Sequence, residues 1–427
     1  MFRIVSQRDA LREGNMHILI IPSWYKTEEN PVKGSFFEEQ ARALNKRGHK
    51  VGVLNIQYIP FSSQRKRIFR QYDDEGIPTI QKTVKGIIPR NIPVNFWYIA
   101  FKGYKLFNEY VKWNGIPDVI HAHAPYYGGI VARYISKKSG IPYIITEHYS
   151  PLITGNITDK NKIDAAIKVY KQASKSIIVS NTFQKDLTEK LNLSKDHFIV
   201  IPNLIAPLFG KNTKENEIEV GKPIIFFTNS FLTEIKNHKL MLDSYKIFRN
   251  NYEKTELVIG GDGMLANELK DYVKKIKLSD YVRFRGLLSR DEVKKQLDEC
   301  HIFLSSSKYE TFGVAMIEAL AAGRPVITTD SGGPRDYIDS TNGVLVRSWD
   351  PNDYAESMKD MVKNYNSYDQ RMISGNCLSK YSEKSVITQL VNVYKEVLDS
   401  KSKTKERNNN SITNDSYLTR EKNLGHI

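Results

Sequence analysis

The stretch from Ser305 to Thr329 reads SSSKYETFGVAMIEALAAGRPVITT and sets two glutamates, Glu310 and Glu318, either side of a helix start. A strand-like run ends in Ser305, Ser306 and Ser307, a short loop follows, and Gly313 opens a run of good helix formers that stops at Gly323. In an open α/β sheet, ligands gather at the carboxyl ends of strands. The free amides of Phe312, Gly313 and Val314 would then point from a helix N-terminus at an anion. The rise of an α-helix puts the two carboxylates at most ~12 Å apart along the axis, about the span from a sugar ring to the ribose of its nucleotide. An acid at each end can accept hydroxyl hydrogen bonds while the helix dipole between them holds a diphosphate. Two ordinary glutamates on a surface helix would leave the serine-rich strand end and the Phe-Gly start unexplained.

Other reactive residue types are sparse. His121 and His123 alternate within DVIHAH and point the same way from a strand. They lack a third ligand at matching spacing, which favours structural histidines over a metal site. His148 ends the run PYIITEH, and its neighbour Glu147 should face the other side. Cys300 and Cys377 have neither a disulfide framework nor metal-ligand spacing, which fits a reducing, cytoplasmic setting. With no aspartate-x-aspartate motif after a strand, the sequence predicts neither a metal nor a cofactor.

The elements that must hold these residues follow from the alternation of short apolar strands with longer amphipathic segments, the mark of parallel sheets covered by helices. From His17 the pattern runs through Val51–Ile56, Asp118–His123, Pro142–His148, Ser176–Asn181 and Phe198–Asn203, β-branched and apolar as for strands buried on both faces. It lapses over residues 207–221, polar and aperiodic, which reads as a linker. It restarts at Pro223–Asn229, Glu256–Gly261, Val282–Gly286, Ile302–Ser307, Pro325–Asp330 and Gly343–Val346. The expectation is a first α/β domain over 16–206, a second over 222–382, a helix over 383–400 and a disordered tail over 401–427. Residues 1–15 lack the apolar core of a secretion signal and read as an extension or misplaced start before Met16.

The chain has 427 residues and a net charge of +15. No nucleic-acid motif accompanies that charge. The remaining causes are a solvated lysine-rich surface and peripheral contact with an anionic membrane at its inner face. No apolar run approaches the ~20 residues that span a bilayer. Residues 60–95 break the alternation and carry Arg65, Lys66, Arg67, Arg70, Lys82, Lys85 and Arg90 among Phe61, Phe69, Tyr72 and Ile87. They read as a solvated basic excursion or a membrane-touching insertion.

Glu310 and Glu318 with seven residues between them, Phe312-Gly313 and Gly323-x-Pro325-Val326 together resemble the signature of the retaining nucleotide-sugar glycosyltransferases with the GT-B fold, glycosyltransferase family 4-like or "group 1". The resemblance covers Met16 to about Asp399 and is specific as a combination. It implies two facing Rossmann-like domains with an interdomain cleft, and metal-independent hexosyl transfer from a nucleotide-sugar donor to a saccharide or lipid-linked acceptor in cell-surface polysaccharide or glycoconjugate assembly. By the same resemblance, Glu310 binds hydroxyls of the donor sugar, and the amides of Thr311, Phe312, Gly313 and Val314 share that task and reach the phosphates. Glu318 holds the ribose, Lys236 neutralises the diphosphate, His148 contacts the donor sugar from the first domain, and Gly34 lies on a loop facing the phosphates and acceptor. Gly286 would lie near the base. Where many relatives carry Gly-Arg after the first strand of the second domain, this chain has Asn229-Ser230, so Ser230 takes that place and one cation is missing. Lys236, Arg335 or Lys33 would have to make up the charge. Gly260, Gly261 and Gly263 read as an architectural turn.

Three other readings stand beside this one. A glycosidase uses paired acids but has no need of Lys236 or a helix N-terminus. A UDP-sugar epimerase shares the two-domain design but not the glutamate spacing. A non-catalytic sugar-nucleotide-binding protein would tolerate the missing Gly-Arg.

Overall fold

The computed structural model describes residues 15–27, 34–64, 67–89, 91–211 and 213–421, from 403 onward as backbone alone. Lys33, Arg65, Lys66, Arg90 and residues 1–14 therefore lie outside the described residues.

Two sheets divide the chain. The first comprises β1 (His17–Pro22), β2 (Lys50–Ile59), β3 (Phe69–Asp73), β4 (Pro78–Lys85), β5 (Val119–His123), β6 (Tyr143–Glu147), β7 (Lys175–Ile178) and β8 (Phe198–Val200), in the order β3-β4-β2-β1-β5-β6-β7-β8. All its pairings are parallel except β3 with β4. The second comprises β9 (Ile224–Asn229), β10 (Thr255–Gly260), β11 (Val282–Gly286), β12 (Ile302–Ser305), β13 (Val326–Thr329) and β14 (Gly343–Val346), all parallel, in the order β11-β10-β9-β12-β13-β14. Ile18 to Ile21 are all fully buried, as a central strand covered by helices on both faces requires.

Two expectations need correction. Residues 60–95 are not an excursion from the sheet, because β4 pairs with β2 over seven registered positions and β3 closes the edge as an antiparallel partner. Pro78–Lys85 hides that role by burying polar residues, Thr79, Gln81 and Thr83, beside Ile80 and Val84. The tail over 401–421 is helical rather than disordered, continuing the helix Glu383–Glu421. Once the first turns of a helix are docked, each further residue adds a hydrogen bond without a new nucleation cost.

That last helix crosses back to the first domain. Val386, Ile387, Leu390, Val393 and Tyr394 share a core with Ile18, Ile20 and Leu44, so the chain's end covers the sheet with which it began. The Tyr394 hydroxyl lies 2.7 Å from His121 Nδ1.

Candidate active site

A cavity of about 370 Å³ opens between the two domains at the carboxyl ends of both sheets. Its second-domain wall carries Ser230, Lys236, Glu310, Thr311, Phe312, Gly313, Val314 and Glu318, and His148 faces it from the first domain. The structure thus gathers nine of the eleven expected site residues. Gly34 and Gly286 lie outside the lining, next to Ser35 and Leu287, which belong to it. Both glycines have positive φ, 76° and 68°, so their place is in turning the chain beside the cavity.

Glu310 sits in a loop fixed from both sides. Its amide donates to the Ser331 carbonyl at 2.7 Å, and its carbonyl accepts from the Gly333 amide at 2.8 Å. Oε1 accepts from Lys236 Nζ at 2.5 Å and from the Ser307 hydroxyl at 2.7 Å. Lys236 is held in turn: the Ser306 hydroxyl donates to the carbonyls of Lys236 and Asn237, both at 3.0 Å. The serine-rich strand end therefore fastens the cation and the acid to the same strand.

The helix Val314–Ala321 starts at Gly313, whose φ of 92° turns the chain into it. The Tyr337 hydroxyl donates to the Phe312 carbonyl at 2.7 Å and pins that turn. The first amides of this helix have no preceding turn to accept them and project toward the cavity end of the axis. Glu318 lies one turn in, 2% exposed, with its carboxyl raised by burial against the opposing pull of Arg290. Arg290 Nη1 donates to Glu318 Oε1 at 2.7 Å.

His148, the residue after β6, closes the cavity from the first domain. Its Nε2 lies 3.1 Å from His123 Nδ1, and the two rings stack at 5.3 Å, with Phe36 5.0 Å away on the His148 ring. Burial holds His148 and His121 down to about 3 and His123 well below its ordinary value, so the row is neutral at ordinary pH. His121 and His123 stand behind His148, fully buried. Glu147 faces away, accepting from the Tyr170 hydroxyl and the Tyr149 amide.

The proposed stand-ins for the missing arginine fare differently. Arg335 is about half exposed, pairs with Asp330 and does not line the cavity. Ser230 does line the cavity, with its hydroxyl 3.1 Å from His238 Nε2. Gly261 is architectural: a Cβ there would lie 1.9 Å from the Ser230 carbonyl oxygen.

Sequence reasoning missed Arg290, Glu39, Trp24 and Phe36, all in the lining. Arg290 is the first residue of the helix Arg290–Glu299, whose Ser289–Glu292 capping box is visible in the sequence and gives the only signal of where that arginine points. Trp24 and Phe36 belong to the loop and helix start of the first domain, where bulky aromatics read as core.

Contacts between the domains surround the cavity. The Ser180 hydroxyl donates to the Thr311 carbonyl at 2.6 Å, and the Thr311 hydroxyl to the His148 carbonyl at 3.3 Å. Asp336 accepts the Thr182 hydroxyl at 2.6 Å and the Thr182 amide at 3.2 Å, capping a first-domain helix, Asn181–Leu191, from the second domain. Two cations, a helix start, three carboxyl groups and neutral imidazoles in one cleft suit a polyhydroxylated anion better than an apolar ligand.

The match to known proteins agrees with this class of site. The model for Glycosyltransferase Family 4 covers residues 34–207, and that for Glycosyl transferases group 1 covers residues 209–376, one for each domain. The chain belongs to this glycosyltransferase family. It is 29% identical over 325 residues to the glycosyltransferase MJ1178 of Methanocaldococcus jannaschii, spanning 74% of this chain and 86% of that one. Among solved structures it resembles sucrose-phosphate synthase from Thermosynechococcus elongatus, with a TM-score of 0.68 and 17% identity over 90% of this chain and all of that one. It also resembles Anabaena HepE in complex with UDP and glucose, with a TM-score of 0.66 and 15% identity over 89% of this chain and 99% of that one. These likenesses define the fold as GT-B, and the protein is a glycosyltransferase.

Proposed function

We propose that the protein moves a hexosyl group from a nucleoside diphosphate sugar to a saccharide or lipid-linked hydroxyl, with retention of configuration and without a divalent metal. The observation that carries this reading is the Lys236–Glu310 pair beside the start of the helix Val314–Ala321, with Glu318 in the same cavity. The sugar would lie between Glu310 and His148, which accepts or donates as a neutral imidazole. The diphosphate would lie against Lys236 and the helix-starting amides, and the ribose against Glu318. The reaction breaks the bond between C1 and the leaving phosphate oxygen and forms one from C1 to the acceptor oxygen on the same face. The acceptor proton passes to the departing diphosphate. Here the protein positions the reactants and stabilises charge on the leaving group.

The donor class draws support from HepE, a protein of the same fold solved in complex with UDP and glucose. The lipid-linked acceptor draws support from the first domain's outer surface. Phe61, Ile87, Ile88 and Trp97 are exposed there, Lys85 lies over Phe61, and Lys105 lies over Phe101. Aromatic rings interleaved with lysines suit the headgroup boundary of an anionic bilayer. Among the described residues no helix is long and apolar enough to cross a membrane.

Product formation assayed over a panel of UDP-, GDP- and ADP-sugars, with and without a chelator, tests this reading. One donor should support turnover that the chelator leaves unchanged. Absence of both transfer and donor hydrolysis over the whole panel would overturn it.

A further inference from the structure

Arg290 is the cation of the cleft that no sequence pattern announced. Its two terminal nitrogens serve different domains. Nη1 donates to Glu318 Oε1 at 2.7 Å, and Nη2 lies 2.7 Å from Glu39 Oε1 on the first-domain helix Ser35–Lys46. The guanidinium stacks over the ring of buried Phe209, 4.6 Å from its centroid, where the chain passes between the domains. Its Nε is buried and has no hydrogen-bond partner among the described residues.

We propose that Arg290 is a positioning residue that ties ribose recognition at Glu318 to docking of the first domain through Glu39. The inference rests on the reading of Glu318 as the ribose ligand.

First, a buried carboxyl tends to neutralise, and a neutral Glu318 would be a poor acceptor for two hydroxyls; Arg290 is the charge that opposes this. Second, Arg290 engages Glu318 through Oε1, and a carboxylate with about four lone-pair sites keeps room for ribose hydroxyls. The contact thus orients Glu318 without filling it. Third, Glu39 meets the same guanidinium only when the domains are together. Burial pushes its carboxyl up to about 7 even with Arg290 pulling it down, so Arg290 is the partner that offsets part of what Glu39 loses in hydration. A ligand that holds Glu318 ionised keeps Arg290 fixed where Glu39 can reach it. By linkage, closure through Glu39 then favours the nucleotide by the same factor.

The test uses the full chain, with uridine, guanosine and adenosine diphosphates and their 2′-deoxy forms as probes. Calorimetry gives affinity, and small-angle scattering gives the radius of gyration with and without saturating nucleotide. The wild type should bind one nucleotide, contract on binding, and prefer the ribose to the deoxyribose form by about tenfold. Glu39→Gln keeps the side chain's shape and removes its charge; it should lose the contraction and raise the nucleotide Kd by about tenfold. Arg290→Met should also lose the preference for ribose, and Arg290→Lys should restore affinity in part without restoring contraction, because one ammonium cannot fork between two domains. A wild type that contracts, with Glu39→Gln contracting equally at an unchanged Kd, overturns the inference and leaves the functional reading standing. A wild type that binds none of the nucleotides overturns both. If Arg290→Met does not fold, the Glu39→Gln result decides.

Discussion

Glu310 is held by its own amide and carbonyl to Ser331 and Gly333, so its carboxylate can be changed without freeing the loop. Glu310→Gln should therefore fold normally by circular dichroism while transfer falls by about 10²-fold or more. Near-normal turnover would remove Glu310 from the site. The histidine row makes a separate prediction. His121 is fully buried between Thr146 and Tyr394, and its folded-state affinity for protons is depressed to about 3. A base depressed on folding contributes stability above its unfolded pKa of about 6.5, and that stability is lost as pH falls from there toward the folded value. Glu39 and Glu147, both pushed up to about 7, work the other way, because their stability is lost as pH rises through that value. The clean measurement is a difference. His121→Gln should lose less stability than the wild type between pH 6.5 and 4, by up to about 1.4 kcal/mol per pH unit. Equal slopes in urea titrations across that range would show that His121 is not held neutral.

At the scale of elements, the turn after β10 shows how backbone approach builds the cleft. Gly261 has a φ of 116° and lies against the Ser230 carbonyl, where a methyl group would clash at 1.9 Å. Gly261→Ala should cost about 2 kcal/mol or more in urea unfolding and weaken the donor with it, since Ser230 lines the cavity. A neutral substitution would mean that the turn relaxes freely. Elements of this kind were legible where their physics is local. All the strands but β3 and β4 announced themselves as apolar, β-branched runs, and the helix from Val314 by its glycine start. What failed to show was non-local. β4 hides in PTIQKTVK because its buried positions include Thr79, Gln81 and Thr83, which only pairing with β2 explains. Arg290 looked like one more surface cation on a helix because its partners, Glu39 and Glu318, lie 251 and 28 residues away in sequence. No window of sequence contains all three.

For the whole molecule, charge and exposed rings lie together on the first domain, the side from which a lipid-linked acceptor would approach. Co-sedimentation with anionic vesicles should exceed that with neutral ones and weaken steeply with salt, since screening shortens to about 8 Å at physiological ionic strength. Replacing Trp97 and Phe61 with serine should reduce it further at fixed charge, through loss of apolar contact. Equal binding to both vesicle types would assign the net charge of +15 to solubility alone. In the proposed reaction the cleft holds a sugar between Glu310 and His148, its diphosphate on Lys236, and the acceptor on the face the leaving group vacates. The most direct measurement of it is the anomeric configuration of the product formed from the active donor, followed by proton NMR from the first turnovers, before any mutarotation. The C1 configuration of the product should match that of the donor. A product of inverted configuration would contradict it.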